Sequence, residues 1–270
     1  ALARLQSTVI QTTIRNGEHW RRQQFSWINE WEECSTRDGR VEGMEFVLPE
    51  WLYRGVIDRS LVLAIDPTYG PSLASMAAVT TAILAPLKSG DHVVAAKALF
   101  GSCRYVVEDL LPRYGIESTL VDGHDLDQWK KAVRPNTKSC FLESPTNPTL
   151  DVVDIAAVAD IAHSVGARLI VDNVFATPIW QSPLTLGADV VVYSATKHID
   201  GQGRCLGGII LSSDAFVQEH IHTFLRQTGP AMSPFNAWVL LKGLETLSLR
   251  VRAQTETAGA IADALATHSK

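Results

Sequence analysis

The sequence predicts an α/β fold in which helices cover a mostly parallel sheet. Three observations predict it. Runs that are apolar at successive positions, among them Leu169-Ile170-Val171 and Val190-Val191-Val192, read as strands buried on both faces. Segments with apolar residues at helical spacing alternate with these runs. Glycines at 90, 115 and 166 stand where helices or their exits should end.

From about Pro71 the order is regular. Ser75 to Leu87 (SMAAVTTAILAPL) predicts a helix that Pro86 ends or kinks, because proline lacks an NH and clashes with the preceding turn. Residues 91–96 predict a strand, Ser102 to Tyr114 a helix closed by Gly115, and residues 116–122 a further strand. Leu126 to Val133 follows as a helix and residues 138–143 as a strand. Asp154 is placed to cap the helix IAAVADIAHSV, which ends at Gly166. Strands at 168–172, 189–193 and 207–212 complete the sheet. The chain then turns helical, with Phe216 to Arg226, Pro234 to Leu247 and Val251 to Thr267 as three separate helices.

Residues 1–70 differ in character. They carry four of the seven tryptophans (Trp20, Trp27, Trp31, Trp51) and show no sustained period. With 270 residues, 46% of them hydrophobic, the chain can bury one sizeable core. The main domain is assigned to 71–250, after an atypical segment over 1–70.

A formal net charge of -5 without long basic runs argues against nucleic acid or an anionic membrane as partner. Cys34, Cys103, Cys140 and Cys205 lie far apart without CxxC spacing, which fits neither a disulfide framework nor a structural zinc site. A reducing cytoplasm suits them. No apolar stretch is long enough to span a membrane, and ALARLQSTVIQ lacks the basic start and apolar core of a signal peptide.

The chemistry gathers at two strand ends. The run 190–192 is followed by Tyr193, Ser194, Ala195, Thr196 and Lys197, while the run 169–171 is followed by Asp172. Ligands of open α/β sheets sit outside the carboxyl ends of the strands, so a lysine, a carboxylate and two hydroxyls can face one cofactor. Pyridoxal phosphate needs this set: its aldehyde takes a lysine as a Schiff base, and its ring nitrogen takes an acidic partner. Taken singly, such a lysine is ordinarily a solvated loop residue and such an aspartate a turn former. The combination carries the argument.

Other features carry less. His220 and His222 are two apart on a helix and point different ways. His198 has no serine in a nucleophile elbow to pair with. Gly201, Gly203, Gly207 and Gly208 do not open a helix after a strand, as a dinucleotide site requires.

ESPTNPTL (143–150), VDNVFATP (171–178) and SATKHIDGQGRCLGG (194–208) resemble the pyridoxal-phosphate enzymes of cysteine and methionine metabolism, a likeness that runs from about residue 72 to 268. The resemblance implies a type I pyridoxal-phosphate transferase fold. It implies Lys197 as the Schiff-base lysine and proton carrier, Asp172 as partner of the pyridinium nitrogen, and Ser194 and Thr196 as phosphate donors. Phe100 matches the ring stacked on the cofactor face and Asn147 the donor to the phenolic oxygen, while Glu143, close by at its strand end, is placed to orient the site. The phosphate loop should precede the 75–87 helix. Here Ala74-Ser75-Met76 stands where the family has Ser-Gly-Met, leaving Ser75 and Met76 as its candidates.

The implied reaction is γ-replacement on an activated homoserine ester. Alternatives are γ-elimination of cystathionine or methionine, cystathionine γ-synthesis, or a cofactor-binding remnant without turnover. The implied partners are a small amino-acid substrate and further copies of the chain, as a dimer of dimers. The family's Tyr-x-Arg pattern has no match, Tyr53 and Arg54 being adjacent. Residues 251–270 would begin a C-terminal domain whose substrate-binding arginine lies further on.

Overall fold

In the computed structural model, residues 60–64, 70–230 and 232–268 are described. The readings of the four N-terminal tryptophans, Cys34 and the Tyr53-Arg54 pair lie outside them, and only the backbone of Ser75 is described. The strands are β1 (Ser60–Ala64), β2 (His92–Ala96), β3 (Glu117–Val121), β4 (Thr137–Glu143), β5 (Arg168–Asp172), β6 (Val190–Ser194) and β7 (Gly208–Ser212). They form one sheet in the order β1-β7-β6-β5-β4-β2-β3. The pairs β2–β3, β2–β4, β4–β5 and β5–β6 are parallel, whereas β7 runs antiparallel to both β6 and β1. Only β7 therefore reverses direction.

Each parallel pair is joined by a crossover, and the helices of those crossovers cover both faces. The helices are α1 (Gly70–Leu84), α2 over residues 101–113, α3 (Leu126–Ala132), α4 (Ile155–Ser164), the short α5 (Thr177–Trp180), α6 over residues 214–228, and α7 (Pro234–Ala266). Alternation along the strands divides the core in two. Val93, Ala95, Phe141, Ile170, Val190 and Val192 face α1, α2 and α6. Val94, Ala96, Leu142, Leu169, Val171 and Val191 face the layer of α3, α4 and α7. Burial of each such valine, leucine or isoleucine contributes about 1.5–3 kcal/mol. Runs apolar at every position are thus what a sheet sandwiched between helices needs.

Local signals set the ends. Asp125 accepts hydrogen bonds from the NH groups of Asp127 and Gln128 at the start of α3, and Asp154 accepts from Ala157 NH at the start of α4. Ser233 caps α7, with Pro234 at its first position, where the missing NH costs nothing. Pro86 keeps α1 from running past Leu84.

Three expectations are corrected. The separate helices at 234–247 and 251–267 are one helix of 33 residues, since Ser248-Leu249-Arg250 contains no breaker and Leu247 and Val251 both pack into the core. The segment assigned no fold before residue 70 supplies β1, paired with β7 from Ser60↔Ser212 to Ala64↔Gly208. Finally, α1 begins at Gly70 rather than Ser75. The NH groups of Ser75 and Met76 are therefore past the four that a helix start leaves unpaired, and the expected phosphate loop does not end at these residues.

Candidate active site

The carboxyl ends of β4, β5 and β6 lie side by side, and each delivers part of the site. Glu143 ends β4 and Asp172 ends β5, opposite each other in parallel register; Asp172 in turn stands opposite Val192 of β6. The β6 chain continues through Ser194 into a single wide turn, Ala195–Ile199, which carries Lys197. Within that turn Lys197 has φ -86 and ψ -111, which is neither helical nor extended, and its side chain is exposed.

Asp172 is buried, with Oδ1 accepting from Val174 NH at 3.1 Å. Burial first, and the neighbouring Glu143 charge second, push its carboxyl up to about 7. Glu143 is likewise buried and raised to about 7 by burial, although two backbone NH groups oppose the shift. Those NH groups belong to Phe100, donating to Oε2 at 2.7 Å, and to Asn147, donating to Oε1 at 2.9 Å. One carboxylate thus fixes the backbone of both residues expected to contact the cofactor ring. Phe100 keeps its ring exposed at the start of α2, and Asn147 is half-buried between Thr146 and the cis Asn147-Pro148 bond.

A polar network lies behind the carboxylates. Asn173 donates to the Tyr193 hydroxyl at 2.8 Å and to Gln181 O at 2.9 Å, while Gln181 donates to Ser144 O at 2.8 Å. It ties the loops after β4 and β5 to the end of β6. Thr196 is buried, and its hydroxyl accepts from Gly207 NH at 2.9 Å and contacts Gly207 O at 3.4 Å. Ser194 is half-buried at the end of β6. Met76 packs into the α1–α2 core, with Sδ 3.9 Å from Cys103 Sγ, and the Cys103 thiol in turn feels the charges of Asp172 and Glu143.

The structure brings Glu143, Phe100, Asn147, Asp172, Ser194, Thr196 and Lys197 to one end of the sheet. Sequence reasoning missed Arg250, Gly201 and Gly243. Arg250 of α7 donates to His198 O at 2.8 Å and to Ile199 O at 3.2 Å, the carbonyls just after Lys197. A glycine inside an otherwise regular helical pattern, Gly243, was the available signal of a close approach.

A buried carboxylate pair asks for a positive partner, and the protonated ring nitrogen of pyridoxal phosphate supplies one next to an exposed lysine and a ring-bearing loop. These residues fit that cofactor. Fold and site together define a pyridoxal-phosphate enzyme of the α/β class.

Residues 70–270 match the Cys/Met metabolism PLP-dependent enzyme family, and the chain belongs to it. Residues 1–75 match a different model, replication initiator protein A. The chain is 52% identical over 202 residues to the O-succinylhomoserine sulfhydrylase of Mycobacterium tuberculosis, covering 75% of this chain and 50% of the relative. It is 47% identical over 190 residues to the enzyme of that name from Pseudomonas aeruginosa, covering 70% and 47%. Cystathionine gamma-lyase of Bacillus subtilis is 42% identical over 74% of this chain and 52% of the relative. Among solved structures, metB of Corynebacterium glutamicum superposes with a TM-score of 0.72 at 33% identity, covering 78% of this chain and 52% of that one. A metY structure from Campylobacter jejuni carries N'-pyridoxyl-lysine-5'-monophosphate and superposes at 0.70 with 29% identity, covering 77% and 57%. The chain spans about half the length of the curated relatives it matches. No helix among the described residues is long and apolar enough to cross a membrane.

Proposed function

We propose that this chain forms the cofactor-binding core of an enzyme for γ-replacement, joining O-succinylhomoserine and sulfide to give homocysteine for methionine biosynthesis. The observation that carries the cofactor assignment is the buried Asp172–Glu143 pair beside the Lys197 turn. The substrate assignment is supported by the relatives named O-succinylhomoserine sulfhydrylase, at 52% and 47% identity.

Pyridoxal phosphate, when bound, supplies an electron sink for charge left on the substrate carbons. Lys197 would hold the cofactor through its aldehyde and, once released as a free amine, would carry protons from and to the α and β carbons of the substrate. Asp172 would pair with the ring nitrogen and keep it protonated. Phe100 would stack on the ring, and the Asn147 amide would donate to the phenolic oxygen. Ser194 and Thr196 would donate to the phosphate, Thr196 while still accepting from Gly207 NH at 2.9 Å.

A second reading has one support, the 42% and 40% identity to cystathionine and methionine γ-lyases. In that case the same residues move the same protons, and the product forms without an added sulfur nucleophile. A homo-oligomer in the cytoplasm completes the proposal, in keeping with the three buried free thiols of Cys103, Cys140 and Cys205.

The deciding experiment begins with the visible spectrum after pyridoxal phosphate is added, beside Lys197→Ala. A band lost in the variant supports the lysine assignment, and a band kept in it sinks that assignment. Product analysis with O-succinylhomoserine plus sulfide, and with cystathionine or methionine alone, then separates replacement from elimination. Retained cofactor with neither product identifies a binding remnant.

A further inference from the structure

The turn that carries Lys197 is held from outside the sheet. Arg250, midway along α7, donates through Nη1 to His198 O at 2.8 Å and through Nη2 to Ile199 O at 3.2 Å. The same Nη2 donates to Gly243 O at 2.8 Å, and Nε donates to Thr246 Oγ1 at 3.0 Å. A planar guanidinium with five donors can serve three carbonyls and a hydroxyl at once, which an ammonium cannot do in one plane.

The backbone on both sides makes room for this contact. Gly201 has φ +68, and a Cβ there would collide with the Arg250 guanidinium. Gly243 brings α7 against the turn so closely that a Cβ would collide with the Ile199 carbonyl oxygen and stand 3.1 Å from Asp200 Cα. On the far side, buried Asp200 accepts from Arg204 NH at 2.6 Å and from Arg204 Nε at 2.9 Å. Burial disfavours the charge on Arg250 and brings its pKa below the ordinary value, with Asp200 acting in the opposite sense. An apolar side chain would join α7 to the sheet without that penalty. What the guanidinium adds is a fixed direction for the two peptides that follow Lys197.

We propose that Arg250 is a positioning residue that aims Lys197 by holding the carbonyls of His198 and Ile199. This rests on the reading of Lys197 as the cofactor lysine. The chemistry is directional: without the fork, the turn keeps only its own backbone bonds, Asp200 NH to Ala195 O at 2.8 Å and Gly201 NH to Lys197 O at 2.7 Å, and the carbonyls of His198 and Ile199 lose the hold that sets the direction of the lysine side chain.

The test uses the whole chain loaded with pyridoxal phosphate, and reads the visible band of the lysine-bound cofactor, its pH midpoint and the cofactor dissociation constant. Arg250→Ala should shift the midpoint and weaken retention roughly tenfold, which is the worth of about one of the two charge-assisted hydrogen bonds lost. Guanidinium ion at a concentration too low to denature should restore part of both, and Arg250→Lys should fall between. Gly201→Ala should move the midpoint in wild type and move it less in the Arg250→Ala background, because the collision it introduces is then gone. If Arg250→Ala does not fold, the lysine variant and Gly201→Ala decide. A wild-type midpoint and retention in the arginine variants, or a lysine variant and guanidinium addition that recover nothing beyond alanine, would overturn the proposal. A band that survives Lys197→Ala removes the lysine assignment and the proposal with it, whereas a band lost in Lys197→Ala but unaltered in the Arg250 variants removes this proposal alone.

Discussion

Glu143 and Asp172 stand opposite each other in register at the ends of adjacent parallel strands, both buried and both raised to about 7. Two carboxyls so placed oppose each other's ionisation, and burial opposes both. An unfolded chain ionises them near their ordinary values of 4.5 and 3.8. Their folded pKa is raised, so the stability they contribute is fully present below about pH 4 and is lost as pH rises through 7.

Asp172→Asn should therefore stabilise the cofactor-free protein at pH 8 by roughly 2 kcal/mol, with the gain shrinking toward pH 4. Turnover should fall in the same variant. Urea melts of both proteins across pH check the stability effect, and a gain of the same size at every pH would show that the carboxylate's ionisation is not its source.

Glu143→Gln replaces one of two acceptor oxygens with a donor, so either Phe100 NH or Asn147 NH loses its partner. The lost charge-assisted bond costs about 1.5–3 kcal/mol, offset in part by relief of repulsion with Asp172. Net stability should change little while cofactor retention weakens, because the ring and the amide both shift. Equilibrium dialysis of cofactor beside a urea melt separates the two; retention equal to wild type would remove Glu143 as an orienting residue.

Much of this architecture was legible because the sheet is covered on both faces: β2, β5, β6 and β7 are short runs rich in apolar residues at successive positions. The helix caps at Asp154 and Ser233 follow from local hydrogen bonding, and Asp154 was readable for that reason. Edge strand β1 was not, since SLVLA lies in a segment without period and gains its strand character from β7. Nor was the early start of α1, where Gly70-Pro71 reads as a break but serves as the first turn of a helix packed on the sheet. Lys197 and Asp172 were visible as residues at strand ends. The hold of Arg250 on His198 joins positions 52 apart in sequence, a contact no local pattern encodes.

Thr196→Val keeps the shape of the side chain and removes the hydroxyl that Gly207 NH donates to at 2.9 Å. A buried NH without its partner costs about 1–3 kcal/mol, so the variant should melt at lower denaturant and release cofactor faster. Thr196→Ser should recover most of both. Equal stability of the valine and wild-type proteins would mean that Gly207 NH finds another acceptor.

His92 should set the acid limb of stability at the opposite end of the sheet. Its ring is buried at the start of β2, with Nδ1 2.8 Å from Thr137 Oγ1 and Nε2 2.9 Å from Thr119 Oγ1, so it links three strands. Burial lowers its pKa to about 4; Arg134 adds to the shift and Glu117 opposes it. Above pH 6.5 the ring is neutral folded or unfolded and contributes no pH dependence. As pH falls from 6.5 toward 4 the unfolded chain takes up a proton that the folded protein refuses, so stability declines by up to about 3 kcal/mol. The carboxylate pair gains stability over part of that range, and the observed curve is the sum of the two. His92→Gln, which keeps a donor and an acceptor, should remove the loss between pH 6.5 and 4 and leave the gain from Glu143 and Asp172 exposed. Melts of that variant showing the same decline as wild type would assign the acid limb to another group.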